Sequence, residues 1–209
     1  MIQTVFTPSA DAPVHSSHLF APAGTTLYRT GDPARTLLTL QGGVVKLAVA
    51  TPSGNEHILM LCGPGDVLGG AALTDPRRHD EDAVALTDVR YSVTLAEQAE
   101  AHPEFATRFA SQWRRSQANL ALAYAPVAVR LAATLVELSE RFGEPYDATL
   151  DHLALPLRHE DYAASVHATR VAVSMAFAAL RDAGAVQGQR GDYLLETAKL
   201  RHVAQSWEV

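Results

Sequence analysis

The chain has 209 residues, enough for one large or two small domains, and 47% of them are apolar, which can supply buried cores. It contains no run of eighteen apolar residues and no basic, apolar leader, so the sequence predicts a cytoplasmic protein without a membrane span. The single cysteine, Cys62, excludes an internal disulfide and a thiolate-held metal cluster.

The formal net charge of −6 is unevenly distributed along the chain. Residues 1–156 hold 11 Lys and Arg against 17 Asp and Glu, whereas residues 157–209 hold six of each class. The acidic excess therefore lies outside the C-terminal quarter, which is neutral rather than basic. If that quarter binds nucleic acid, the sequence predicts a modest nonspecific affinity and a shallow salt dependence.

Residues 1–98 are predicted to form an antiparallel β-barrel. The first 18 residues look irregular, and over residues 19–95 short apolar runs alternate with glycine-containing turns. The clearest hairpin pairs residues 44–49 with residues 57–60. Many short strands at fairly regular spacing are typical of an antiparallel barrel or sandwich.

Residues 99–143 are predicted to form a long dimerisation helix and a hinge helix. A row spaced three or four residues apart runs for about 20 residues, or roughly 30 Å; it contains Phe105, Phe109, Trp113, Ser116, Leu120 and Tyr124. A small barrel cannot cover this length, so the apolar members predict a helix–helix contact in a homodimer. The alternative is a helix that packs only on its own barrel. Ala125-Pro126 interrupts the helix, and a second apolar stripe follows over residues 127–142.

Residues 144–209 are predicted to form a winged helix-turn-helix. A linker over 144–156 precedes two helices, one over about 160–166 and one that Thr169 caps and Gly184 ends. Two short strand-like runs, 186–187 and 193–195, flank a glycine-rich tip that carries Arg190, and residues 196–203 suit a terminal helix. The alternative for the helix pair is a hairpin that only fills a core. The whole chain is thus predicted to be an α+β protein.

In this order the elements resemble the CRP/FNR family of bacterial transcription regulators, the cyclic-AMP receptor protein and its relatives. The resemblance covers residues 19–203 and rests on Gly24-Thr-Thr-Leu-Tyr-Arg-Thr-Gly31-Asp32, Gly43-Val-Val-Lys46, Gly54-Asn-Glu-His-Ile58, Gly63-Pro-Gly-Asp66-Val-Leu-Gly69, Thr169-Arg170 and Leu180-Arg-Asp-Ala-Gly184. It implies a jelly-roll, cyclic-nucleotide-binding-like barrel and a homodimer. It also implies a near-palindromic site on double-stranded DNA and a contact with RNA polymerase, while activation and repression both stay open.

The nucleotide pocket departs from the family pattern. Family members that bind cyclic AMP carry a Gly-Glu pair for the ribose and an Arg-Ser pair for the phosphate, but here Gly70 follows Gly69. The region that corresponds to the Arg-Ser pair reads Arg77-Arg78-His79-Asp80-Glu81-Asp82. Arg77 or Arg78 would substitute for the family's phosphate-binding arginine only if the loop shifted. The predicted degenerate pocket comprises Gly69, Gly70, Asp80, Glu81, Asp82 and Ser116, the last of which corresponds to a base contact. We therefore expect no cyclic-AMP dependence and no cofactor.

The DNA-reading helix also departs from the family pattern. The family's DNA-reading set is Arg-Glu-x-x-x-Arg, and the corresponding residues here are Arg170-Val171-Ala-Val-Ser174-Met175. Arg170 is retained and can bind guanine, and Val171 suits contact with a thymine methyl group. The turn position usually held by glycine is His167, which is costly if its φ is positive. The predicted DNA-binding residues are Arg158, His159, Thr169, Arg170, Val171, Ser174, Met175 and Arg190.

Two further hypotheses remain open from the sequence. One keeps the DNA-binding function but gives the barrel a different ligand, apolar or cationic. The other is a cupin-like barrel enzyme, prompted by nine histidines. These histidines show no His-x-His with a following Glu in the barrel region, and no catalytic arrangement has motif support. The sequence therefore predicts a protein that is not an enzyme and has no metal site.

Overall fold

The computed structural model describes residues 18–51, 54 and 56–207, without the side chains of residues 118–120. Within this part, the N-terminal region contains short antiparallel strands in two four-stranded sheets, with orders β1-β8-β3-β6 and β2-β7-β4-β5. The strands are β1 (Leu19–Ala21), β2 (Thr26–Tyr28), β3 (Thr36–Gly42), β4 (Val45–Ala50), β5 (Glu56–Cys62), β6 (Val67–Leu68), β7 (Asp82–Ala85) and β8 (Val89–Leu95).

The two sheets face each other across an apolar core. Leu38 and Leu40 of β3 alternate inward and meet Val45 of β4 and Cys62 of β5 in one buried cluster, because successive strand residues point to opposite faces. Cys62 thus takes a core position, and burial raises the pKa of its thiol above its usual value. No ladder joins the two sheets within the described residues. The predicted barrel is therefore an open two-sheet sandwich, not a closed barrel.

Three helices follow the sandwich: α1 (Ala96–Ala99), α2 (Pro103–Ala121) and α3 (Val127–Phe142). The inner face of α2 lies on its own sandwich, where Phe105 is buried and the Gln112 side chain bonds both the backbone N and the backbone O of Val67. α2 ends before Tyr124, and Pro126 directly precedes α3 as its N-cap residue.

The C-terminal region contains β9 (Glu144–Pro145), β10 (Asp151–Ala154), α4 (His159–Ser165), α5 (Arg170–Asp182), β11 (Val186–Gln189), β12 (Asp192–Leu195) and α6 (Thr197–Gln205). Its sheet has the order β11-β12-β10-β9. The prediction of a linker over 144–156 is wrong, because β10 pairs with β12 along its whole length and Leu153 is fully buried. Long-range pairing, which local composition does not show, makes this segment a strand.

The sandwich and the C-terminal region share one apolar core. Ile58 and Leu61 of β5 belong to the same buried cluster as Leu135 of α3 and Phe177 of α5. A guanidinium supports this junction from α3, since Arg130 donates to the backbone oxygens of Val166 and, at 3.2 Å, His167. The helix pair therefore lies against the sandwich instead of hanging from a flexible hinge.

Asp66 connects three elements at the same junction. Its carboxylate accepts from Arg115 of α2 and Arg141 of α3, each at 2.5 Å, and from the backbone N of Gly63 at 3.0 Å. The Asp66 side chain is only 9% exposed, so each contact is a charge-assisted hydrogen bond largely shielded from water. Arg141 also donates to the backbone O of Leu61.

We expect Asp66→Asn to lower the free energy of unfolding by about 2 kcal/mol, because an amide cannot accept from both guanidinium groups and leaves buried positive charge unpaired. Urea denaturation measures the change. Asp182→Asn, at the exposed end of α5, is the matched control and should stay within about 0.5 kcal/mol of the parent. Equal stability of Asp66→Asn and the parent would contradict this role.

Candidate nucleic-acid interface

Helices α4 and α5 form the predicted helix-turn-helix. They meet at 101°, within the range typical of this motif. Thr169 caps α5 by accepting from the backbone N of Ala172 at 3.2 Å, and Gly184 follows the helix end with a φ of 65°. Both sequence signals are confirmed, and the helix bounds lie within one residue of the prediction.

The inner face of α5 packs as its spacing predicts. Val173, Phe177 and Leu180 are buried, and the Phe177 ring stacks on Tyr193 of β12 with centroids 5.3 Å apart. Tyr162 of α4 contacts the same ring edge-on. The aromatic contacts fix α5 against both α4 and the strand pair that follows, so the outer face of α5 has a defined direction.

The outer face of α5 exposes apolar side chains next to a guanidinium. Val171 is 70% exposed and Met175 is 69% exposed, while Arg170 lies in the first turn. Val171 and Met175 are four residues apart and therefore adjoin on the helix surface, and contiguous exposed apolar surface marks interaction sites. Both side chains suit contact with the methyl groups and edges of bases in a DNA groove.

Ser174 and His159 bond each other. The Nδ1 of His159 lies 2.9 Å from the Oγ of Ser174, and the His159 ring stacks on Phe177 with centroids 4.7 Å apart. Burial lowers the pKa of His159, and the nearby Arg181 and Arg170 lower it further, so the ring is neutral near pH 7. His159 therefore positions Ser174 and adds no standing positive charge to the surface.

The tip of the β11–β12 hairpin has the backbone of a two-residue turn. Arg190 and Gly191 have φ values of 57° and 82°, which a right-handed strand pair requires of its turn. Gly191 is also required by space, since a Cβ there would lie 2.0 Å from the backbone O of Leu155. The predicted wing is thus present, with Arg190 at its tip.

A basic cleft lies between the helix pair and the wing. Four guanidinium groups line it, two from α5, one from the residue before α4 and one from the wing tip: Arg170, Arg181, Arg158 and Arg190. Glu160 is the only carboxylate among the lining residues. Arg181 also donates to the backbone O of Gly188 at 3.2 Å, which holds the wing against α5. Four planar donors around one cleft suit phosphate oxygens, although the chain as a whole is acidic.

The turn before α5 has the predicted strain. His167 has a φ of 50°, a conformation that costs a side chain with a Cβ. Neighbouring bonds hold it there: Arg130 donates to the His167 carbonyl, and the backbone N of Ala168 donates to the backbone O of Ala163 at 3.0 Å. Histidine thus occupies a left-handed position that usually favours glycine.

The acidic loop of the sandwich is bonded internally. The hydroxyl of Tyr28 donates to Glu81 at 2.8 Å, and the carboxylate of Asp82 accepts from the backbone N of Thr30 at 2.7 Å. The His79 ring stacks flat on Tyr28 with centroids 3.7 Å apart. Burial raises the pKa of Glu81. Whether or not it is protonated, the Glu81 carboxyl group offers no positive charge to a phosphate.

The two arginines that might replace a lost phosphate ligand point to other partners. Arg77 pairs with Glu97 at 3.2 Å and with Glu100 at 3.3 Å, both on or beside α1. Arg78 donates to the backbone O of Gly31 at 2.7 Å. Neither guanidinium is therefore available at the Glu81 position in this arrangement.

Of the remaining predicted pocket residues, Gly69 lies beside this group, since its backbone hydrogen-bonds Tyr28, whereas Ser116 lies elsewhere. A Cβ on Gly70 would lie 3.2 Å from the Phe109 ring, and a Cβ on Gly69 would lie 2.8 Å from the backbone O of Thr36. Ser116 lines a different cleft, between β5, the end of α2 and α3, whose lining excludes the acidic loop. The sequence placed these residues in one site, and the structure separates Ser116 from the others.

Comparisons with known proteins agree with this geometry. A model of the cyclic nucleotide-binding domain matches residues 19–100, and a model of the Crp-like helix-turn-helix domain matches residues 129–203. The CRP-like cAMP-activated global transcriptional regulator of Mycobacterium tuberculosis is 30% identical over 166 residues, which cover 75% of this chain and 74% of the relative. The chain belongs to the CRP/FNR family of transcription regulators.

Other members of the CRP/FNR family match over more of the chain. The transcriptional regulator LdrP of Thermus thermophilus is 31% identical over 184 residues, or 87% of this chain and 93% of the relative. The crystal structure of TTHB099, a CRP-family regulator of the same organism, has a TM-score of 0.78 at 27% identity and covers 89% and 96% of the two chains. This CRP/FNR regulator thus carries the family's DNA-binding helix-turn-helix.

The residues exposed on α2 in this CRP/FNR regulator differ from the row that was predicted to contact a second chain. Phe105 and Phe109 pack on their own sandwich, so little of Phe105 remains for a second chain. Trp113 is 65% exposed and Tyr124, just after α2, is 95% exposed. The side chain of Leu120 lies outside the described residues. Ala106, Ala110 and Gln117 are also exposed at helical spacing from Trp113.

Arg181 and Arg130 are site residues of this CRP/FNR regulator that sequence reasoning missed. Arg181 lies eleven residues after Arg170, which is three helical turns, so the two share a face of α5 and the spacing was a usable signal. Arg130 acts through long-range contacts to the turn before α5, for which local sequence carries no signal.

The structure adds two general observations on this CRP/FNR regulator. Over the described residues, no group of three or more His, Cys, Asp or Glu side chains is arranged to hold a metal ion. In the same residues no single helix is long and apolar enough to cross a membrane, and only the bent pair α4 and α5 meets that test jointly. Those two helices are the helix-turn-helix already described.

Proposed function

We propose that this CRP/FNR regulator binds a near-palindromic DNA site as a homodimer and does so without cyclic AMP. Each protomer presents α5 to a major groove, and the two half-sites lie about one helical turn, roughly 34 Å, apart. RNA polymerase is the expected protein partner at a promoter. The basic cleft beside α5 and the exposed face of α2 support this proposal.

Contacts within one half-site follow from side-chain chemistry. Arg170 makes a two-pronged bond to guanine O6 and N7, while Val171 and Met175 contact thymine methyl groups. Thr169 and Ser174 contact DNA at the edges of this set of residues, and His159 positions Ser174. Arg158, Arg181 and Arg190 bond phosphates on either side of the groove, which fixes the register of the protein on the duplex.

Support for independence from cyclic AMP comes from the acidic run Asp80-Glu81-Asp82 in the region that resembles the family's phosphate-binding Arg-Ser pair, where Glu81 accepts a hydrogen bond from Tyr28. Desolvating a phosphate beside Asp80, Glu81 and Asp82 costs free energy that no nearby guanidinium returns. At the ribose position Gly70 provides no carboxylate, and a Cβ there would lie 3.2 Å from the Phe109 ring, a tight contact.

Calorimetric titration with cyclic AMP tests this claim. We expect no saturable heat for the full chain, since both groups that bind the nucleotide in family members are missing. The M. tuberculosis relative, whose name states activation by cyclic AMP, is the positive control under the same conditions. Micromolar binding by the present chain would contradict the proposal of cyclic-AMP independence while leaving DNA binding intact.

A second candidate keeps the DNA-binding function but gives the sandwich another ligand. The Nδ1 atom of His79 is buried without a hydrogen-bond partner among the described residues, and three carboxyl groups lie beside it in the chain. This surrounding favours a cationic ligand over an anionic one. A thermal-shift screen of metabolites separates the candidates, since a stabilising cation would support a ligand-controlled regulator and no stabilising compound would support the first proposal.

A further inference from the structure

Two histidines face each other across the junction between the sandwich and the helix-turn-helix. His57 lies on β5 and His167 lies in the turn between α4 and α5, 110 residues later. Their Nδ1 atoms are 3.4 Å apart and their ring centroids are 5.2 Å apart. At 3.4 Å the contact is a weak hydrogen bond when one Nδ1 is protonated, and in the other tautomer both Nδ1 atoms are free to act as ligands.

Both distances agree with two imidazoles directed at one tetrahedral ion. With bonds of about 2.0–2.1 Å, tetrahedral Zn²⁺ holds two nitrogen ligands about 3.4 Å apart. Extending each bond by the roughly 1.1 Å from nitrogen to ring centre places the centroids about 5.2 Å apart in the same geometry. We propose that His57 and His167 bind a divalent transition-metal ion of the Zn²⁺ class, which joins β5 to the turn before the reading helix.

The protonation state of His167 suits a metal ligand. Burial lowers the pKa of His167, and the adjacent His57 and Arg130 lower it further. His167 is therefore neutral at pH 7, and a metal ion does not need to displace a proton from it. The pair is open to solvent along a groove between the sandwich and α4, so an ion has a route to it.

Charged groups of both signs surround the pair. Glu56, Glu160 and Asp161 line the same groove and attract a cation, whereas Lys46, which lies 2.5 Å from Glu56, and Arg130 oppose one. Since no third protein ligand converges within the described residues, water completes the coordination. Such a site has two protein ligands on two different units, so binding stabilises the arrangement that holds them together.

The test uses the full chain after removal of bound metal with a chelator. Zn²⁺ is titrated in competition with a chromophoric chelator, and the melting temperature is measured with and without Zn²⁺. The variants are His57→Asn and His167→Asn, and asparagine is chosen because it tolerates the positive φ of position 167. His202→Asn, on the exposed face of α6, is the matched control.

We expect one Zn²⁺ per protomer, an increase in melting temperature on binding, and at least a tenfold loss of affinity in each of the two variants. The control should bind as the parent does. Binding that both variants retain, or no stoichiometric binding by the parent, would overturn the proposal. His57→Asn keeps the test decisive if His167→Asn fails to fold. Because neither readout uses DNA, failure here leaves the proposed DNA-binding function untouched.

Discussion

Replacing Trp113 with glutamate should separate the proposed homodimer into protomers and abolish tight binding to a palindromic DNA site. Trp113 is the largest apolar side chain exposed on α2, and small residues, Ala106 and Ala110, precede it on the same face. Small residues let two helices approach closely, so the indole would be buried at the centre of the contact. Each protomer would then place one glutamate carboxylate in an apolar interface.

The expected cost is large because an interface of this kind depends on few side chains. At about 2 kcal/mol or more for each buried aromatic anchor, two copies weaken dimerisation by about 4 kcal/mol, or roughly a thousandfold. Analytical ultracentrifugation measures the change. Phe20→Glu, which alters an equally exposed aromatic residue on β1, is the matched control and should remain a dimer. A dimeric Trp113→Glu chain would show that α2 pairs elsewhere.

Replacing Arg170 with alanine should weaken binding to the specific site far more than binding to random DNA. A bidentate arginine–guanine contact contributes about 1–3 kcal/mol, and a twofold dimer makes it twice. The expected loss is therefore about 2–6 kcal/mol on the specific site, with relaxed preference at one base pair in each half-site. Fluorescence anisotropy on a selected duplex and on a scrambled duplex measures both affinities.

Arg190→Ala is the matched comparison for that experiment. Arg190 lies at the wing tip, where it suits a phosphate, so its loss should weaken all sequences alike and reduce the salt dependence of binding. Equal losses on specific and scrambled DNA for Arg170→Ala would contradict its assignment as a base-reading residue, while a loss confined to the specific site for Arg190→Ala would contradict its assignment to phosphate.

The helix-turn-helix was predictable because its signals are local. Thr169 before α5, Gly184 after it, and the spacing of Val173, Phe177 and Leu180 each depend on residues within a few turns. The positive φ of His167 was predictable for the same reason, since the turn geometry is a property of a short segment.

Pairing over long distances was not predictable. Residues 151–154 look like a linker until β12, some forty residues later, provides a partner strand. Closure of the predicted barrel likewise depends on contacts between strands distant in sequence, and here the two sheets stay separate. The row on α2 was predicted to face a second chain, but Phe105 packs on its own sandwich because the surrounding alanines and Val67 provide the pocket.

The arrangement of charges was only half predictable. The expected loss of the family's phosphate ligand follows from the acidic residues 80–82, but the bond from Tyr28 to Glu81 and the separate partners of Arg77 required coordinates. The clustering of four guanidinium groups beside α5 was hidden by the neutral total of the C-terminal quarter. Net charge averages over a surface, whereas a phosphate responds to the groups within its reach.

The central claim is that this CRP/FNR regulator binds specific DNA as a dimer while its sandwich does not need cyclic AMP. The most direct test selects bound duplexes from a random pool without added nucleotide and then measures affinity for the selected site with and without cyclic AMP. The account predicts a near-palindromic selected site, bound two protomers to one duplex, with the same affinity in both conditions. Failure to enrich any duplex, or enrichment only when cyclic AMP is present, would contradict it.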